Sequence, residues 1–158
     1  MDPPTSTPDP ARTLAPAAKV LWRIEGLIGT VIAVAAAAVL QATVGGVIAL
    51  LAWVAALLVA LLGLVLAPEL RWRRWRWEVR EHEIDIRHGT FAITRTLVPM
   101  LRVQHVDTKR DLIQQLLGLS TVVFHTAAGS NEIPALDDYT AGLVRDRIAE
   151  LARTADEL

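Results

Sequence analysis

Two histidines and one aspartate are the side chains best placed for chemistry. His105 and Asp107 stand two apart in "RVQHVDT", so on a strand they share a face, and His125 in "VVFHTAA" can approach from another strand. Imidazole nitrogens beside a carboxylate can bind a metal or shuttle a proton. The pattern lacks support, however, because the chain has no cysteine and no second histidine at ligand spacing. It points to no metal and no cofactor. No catalytic nucleophile is framed either: there is no G-x-S-x-G elbow, no phosphate-cradling glycine loop and no H-E-x-x-H. The chain reads as non-enzymatic.

A second constellation is "LRWRRWRWEV", Leu70 to Val79, with three tryptophans and four arginines. Interleaved indoles and guanidiniums can grip nucleic acid or mark a membrane border. Charge decides between them. Glu69 to Leu158 holds 13 basic and 14 acidic side chains, and without Glu69 and the four arginines up to Arg76 the balance is nine against 13. A nucleic-acid surface needs many cations spread over it, so this composition excludes that partner. Trp22, Arg23, Arg71, Trp72, Arg73, Arg74 and Arg76 are read instead as a membrane-interface anchor, each arginine drawn to anionic inner-leaflet lipid by about 1 kcal/mol. Trp75 and Trp77 begin a strand and can join a core. Arg80, Arg102, Gln104, His105 and Asp107 are candidate ligand or partner contacts.

These residues need elements to hold them. From Gly26 to Pro68 no residue is charged, about twice the 20 residues of one bilayer span. Two helices are expected, about Arg23–Leu40 and Gly46–Ala67, broken at "LQATVGG". Gly29, Ala33 and Ala37, and then Ala52, Ala56 and Ala60, form small-residue ridges suited to close packing in lipid. Lys19, Arg23 and Arg71 to Arg76 flank the spans while their loop is uncharged, which places both termini in the cytoplasm by the positive-inside rule. A multi-pass protein of the cell membrane follows. Residues 1–18, rich in Pro, Thr, Ser and Asp, are expected to be a disordered tail, 19–68 a transmembrane hairpin and 69–158 a cytoplasmic domain.

In that last segment the apolar period changes to two, through "RWRWEV", "EIDIRHG", "TFAITRTLVP", "MLRVQHVDT", "STVVFHTAAG" and "SNEIPAL". "RDLIQQLLGLS" suggests a short helical turn stopped by Gly118. Asp137 then caps an amphipathic closing helix whose Ala141, Val144, Ile148 and Leu151 share a stripe. The class is α+β: antiparallel strands capped by one helix.

Read in order, "RWRWEVREHEIDIRHG", "VPMLRVQHVDTKRDLIQQLLGLSTVVFHTAAG" and "EIPAL" resemble the bacterial pleckstrin-homology (PH) domain proteins, and among them the YdbS-like, membrane-flanked family. The resemblance covers Leu21 to Ala152. It implies a PH-like barrel or sandwich behind a membrane hairpin, and a membrane protein partner of similar build. The residues themselves leave an alternative open, a lipid or amphiphile sensor at the inner leaflet with Arg71, Arg73, Arg74 and Arg76 as ligand contacts instead of an anchor, and the resemblance adds a role in envelope stress or peptide-toxin resistance. One departure bears on that alternative: where inositol-lipid binders carry several cations in the first hairpin turn, this chain has "VREHEID", with Arg80 among Glu81, Glu83 and Asp85.

Overall fold

The computed structural model describes residues 8–90 and 92–156. Helix α1 covers Ala18–Thr43 and α2 covers Gly46–Leu61, continued by a π-helical turn at Leu62–Leu66 and by α3, Ala67–Arg74. The break falls where expected, because Gly45 and Gly46 both take positive φ, +65° and +61°, which a side chain would strain. The second helix does not stop near Ala67. Pro68 cannot donate the α-helical hydrogen bond of its turn, and the preceding π turn absorbs the mismatch, so the helix runs on through Arg74.

The hairpin helices meet along small residues, with Ala37, Ala49 and Ala56 buried. Gly26 and Gly63 make the closest approach: a Cβ on Gly26 would lie 2.3 Å from the Gly63 carbonyl oxygen. Gly29, expected on this ridge, faces open space instead. Helical geometry puts Gly26, Thr30, Ala33 and Ala37 on one stripe, so the contact is rotated by one position. In the most apolar stretches of the two helices, 6% and 11% of residues are buried inside the protein. Such exposure of Leu, Val and Ile suits lipid, not water.

Two antiparallel three-stranded sheets follow, not joined into a closed barrel. The first contains β1 (Arg76–Val79), β2 (Glu83–His88) and β3 (Thr94–Pro99) in that order. A 3₁₀ turn at Met100–Arg102 leads into the second, β4 (Val103–Lys109), β5 (Leu119–Thr126) and β6 (Gly129–Asp137). Between β4 and β5 lies α4, Leu112–Leu117, which Asp111 caps at its start and Gly118 ends in the left-handed conformation. Helix α5, Asp138–Asp156, begins where the Asp137 carboxylate accepts from the Thr140 N–H at 2.9 Å. Trp77, Ile84, Ile86, Val98, Phe124, Ile133, Ala141, Val144 and Ile148 share one core, in which the alternate residues of β2 and the stripe of α5 are directly visible, while β5 is buried along six consecutive residues.

The stretch before α1 differs from expectation. Met1 to Thr7, the outer part of the tail, lie outside the described residues. Residues 8–17 are a strap laid across the domain. Arg12 and Trp77 exchange two backbone hydrogen bonds at 3.1 and 3.0 Å, and the Ala15 N–H donates to the Ala135 carbonyl at 3.3 Å. Leu14 is buried in the core, and the Trp77 indole N–H donates to the Thr13 carbonyl at 3.2 Å. The strap satisfies the free edge of β1 and reaches over to β6, a backbone requirement that a proline-rich composition does not reveal.

Candidate functional site

The residues assigned to a membrane anchor form a joint between hairpin and domain. Trp22 is buried, and the Arg71 guanidinium lies over its ring, 4.3 Å from the centroid. Trp72 donates its indole N–H to the Leu14 and Ala15 carbonyls, each at 3.2 Å, while the Lys19 ammonium sits 4.4 Å from its ring centroid and pairs with Glu69 at 3.3 Å. Both indoles are therefore held by protein. Arg73 pairs with Glu69 along one turn of α3 and keeps most of its side chain in solvent. Arg74 donates to the Thr90 carbonyl, and Arg76 donates to the Trp75 carbonyl at 2.7 Å. Arg23 is exposed. Trp75 stacks on His88, with centroids 5.3 Å apart, so that histidine is a packing partner.

Between this joint and the second sheet runs a membrane-proximal crevice. Two adjoining spaces, of about 580 and 590 Å³, share Arg71, Lys109, Glu132 and Pro134. Trp22, Glu25, Asp111 and Gln114 line its α1 and α4 side.

Arg80 is already engaged. Its guanidinium meets Glu78 and Glu83 at 3.0 Å and Asp85 at 3.4 Å. Burial works against that cation, yet the hydrogen bonds to Glu83 and Glu78 prevail and hold it more basic than an ordinary arginine. Asp85 is fully buried on the outer face of the first sheet, where Arg95 grips it with two hydrogen bonds, 3.1 and 2.7 Å. Those bonds likewise raise the Arg95 pKa above its usual value. Asp9 of the strap pairs with Arg87 at 2.9 Å and Arg95 at 3.2 Å. The alternation in "EIDIRH" places Asp85 opposite the core, as in any half-buried strand, but only the fold shows that a strap and two arginines cover it.

His105, Asp107 and His125 do converge. The two Nε2 atoms lie 2.9 and 3.5 Å from the Asp107 carboxylate, with ring centroids 6.1 Å apart. Among the described residues no group of three or more such side chains is arranged to hold a metal. Gln104 and His105 also border a cleft of about 610 Å³ between β4 and α5, with Leu101, Val103, Ala149 and Ala152. Leu101 borders a second, more apolar cleft of about 460 Å³, with Met100, His82, Leu151 and Ala155. Exposed by 72%, this leucine stands between the two, in the gap where β3 and β4 share no backbone hydrogen bond among the described residues. Arg102 beside it is exposed. Sequence reasoning missed Leu101, which the strand period alone does not distinguish from a core position.

Two apolar helices followed by an α+β module of paired sheets and a closing helix define a membrane protein with a PH-like layout. The bacterial PH domain family matches residues 18–152, and the chain belongs to that family. It is YdbS-like: it is 46% identical to the UPF0699 transmembrane protein YdbS of Bacillus subtilis over 101 residues, 64% of each chain. It is also 31% identical to the UPF0699 transmembrane protein YdbT of the same strain over 95 residues, 60% of this chain but 19% of YdbT. The aligned part thus spans less than two thirds of either relative. No solved structure matches the chain.

Proposed function

We propose that this protein is a non-enzymatic membrane-anchored scaffold that assembles with a membrane protein of similar build. The observation that carries this reading is the Leu101 trough: an exposed leucine between two clefts, beside the unpaired edges of β3 and β4, on the side of the domain that the strap leaves open. An unpaired edge accepts a strand and an apolar trough accepts a helix. Similarity to two transmembrane proteins of one bacterium, one of them much longer, supports a partner with related domains. Gln104, His105 and Arg102 flank the trough and supply its polar rim; Arg80 and Asp107 lie outside that role. In this reading the hairpin spans the cell membrane and both termini are cytoplasmic.

The test is affinity purification in detergent of the intact chain and of Leu101→Asp. A membrane protein with PH-like segments should accompany the first and be lost from the second. A chain that migrates alone at every detergent concentration contradicts the proposal.

The crevice favours a second reading, a sensor of lipid headgroups at the inner leaflet. Lys109 has no ion-pair partner among the described residues and, with Arg71, lines space beside the membrane joint. Liposome flotation of the domain without the hairpin separates the two: lipid-specific binding abolished by Arg71→Gln with Lys109→Gln supports sensing, and indifference to lipid type rejects it.

A further inference from the structure

Short as it is, α4 has two faces. Ile113 and Leu117 pack against the core that α1 enters, and Gln114 is buried with its amide donating to the Thr121 hydroxyl at 3.1 Å. Leu112 and Leu116, one turn apart, point the other way and are 79% and 87% exposed. No other large apolar side chain of the described residues is as exposed as Leu116. An apolar pair of this kind, left in water, calls for an occupant.

The position of α4 identifies it. Asp111 and Gln114 line the same space as Trp22, Glu25 and Arg71. Glu25 is the last charge before the uncharged stretch and Arg71 is among the first after it, so α4 lies level with the border between charged and lipid-compatible chain. Lys109 and Arg110 stand just before its N-cap, Asp111, and Arg110 pairs with Asp138 at 2.9 Å. On its other side the Asp138 N–H donates to the Gly118 carbonyl at 3.2 Å, which sets Tyr139, 77% exposed, beside the end of α4. Leucines flanked by cations and a tyrosine have the composition of a segment that rests in a membrane interface.

We infer that α4 is a membrane foot: Leu112 and Leu116 dip into the bilayer that the hairpin crosses, giving the domain a third point of contact beside α1 and α3. This inference rests on the membrane-spanning reading of the hairpin. It is independent of any partner at Leu101.

The chain lacks cysteine, so single-cysteine variants can carry a fluorescent label at chosen sites. Leu116→Cys, Leu101→Cys and Leu57→Cys, each at a position more than two-thirds exposed in the isolated chain, are labelled in the intact protein and reconstituted at low density into phosphatidylethanolamine and phosphatidylglycerol vesicles. The label at Leu116 should be quenched by nitroxides on the upper acyl chain and respond to aqueous iodide severalfold less than the label at Leu101. Iodide quenching equal to that at Leu101 overturns the foot, as does protection from both quenchers, which would mean that protein covers it. The label at Leu57, within α2, reports the hairpin separately. If acyl-chain nitroxides fail there the membrane-spanning reading falls; if they succeed at Leu57 and fail at Leu116, only the foot falls.

Discussion

The two gaps between the sheets are closed to different degrees. Where β1 faces β6, the strap supplies backbone hydrogen bonds to both sides and buries Leu14. Where β3 faces β4, a 3₁₀ turn is the covalent link and Leu101 stands in solvent. A sheet edge is stable when its amides and carbonyls are paired or covered. The strapped gap contributes to holding this chain together, and the open gap, which leaves Leu101 in solvent, is the one to which we assign the proposed association.

If that contrast is right, damage at the strapped gap should fall mainly on stability. Trp77→Ala removes a buried indole, its bond to Thr13 and the ring beneath the Arg12 cation, and should cost about 3–5 kcal/mol. Urea unfolding in detergent followed by circular dichroism measures it, and proteolysis should then cut within residues 8–17. A loss below about 1 kcal/mol would mean that the strap contributes little.

Asp85→Asn comes next. It leaves Arg80 and Arg95 with a neutral partner on the strapped face, and should cost about 2–3 kcal/mol. That lies below the figure for a fully buried pair because both arginines reach water. Reciprocal replacement of Arg95 by Met should recover part of the loss if charge, not shape, is responsible.

Smaller is the effect at the start of α5, where Asp137→Ala should cost about 1 kcal/mol. Hydrogen bonding to Thr140 holds the Asp137 pKa below the ordinary aspartate value. A folded-state pKa below the unfolded one means that the cap stabilises above about pH 4 and loses its effect as pH falls through the folded value. The difference between wild type and Asp137→Ala should therefore shrink on going from pH 6 to pH 3.

Smallest of all is the open gap. Leu101→Asp should change stability by no more than about 0.5 kcal/mol, because the side chain is already in solvent. A large loss there would erase the distinction between the two gaps.

Much of this architecture is legible in residue order. The break between the spans, the strands, the stop at Gly118 and the cap at Asp137 all follow from local rules of turn geometry and period. What escapes is whatever depends on a distant partner. Alternation in β2 says which face Asp85 takes but not that Arg95 and the strap cover it. Small-residue spacing shows that the helices can approach, while the rotation that selects Gly26 over Gly29 comes from both helices together. Proline reads as a terminator, and its accommodation by a π turn is a property of the whole helix. The candidate site was legible to the same degree: His105, Asp107 and His125 do meet, whereas Leu101, an isolated leucine, carries no local mark.

One further consequence follows from the joint in which Lys19 meets Glu69 and Trp72 while Arg71 covers Trp22. A body hung from one flexible thread spins freely, but this one is gripped by two rods at once, so its heading in the plane is locked to theirs. For the association proposed above, the trough then keeps a constant bearing during a two-dimensional search, and fewer encounters are wasted on the wrong side.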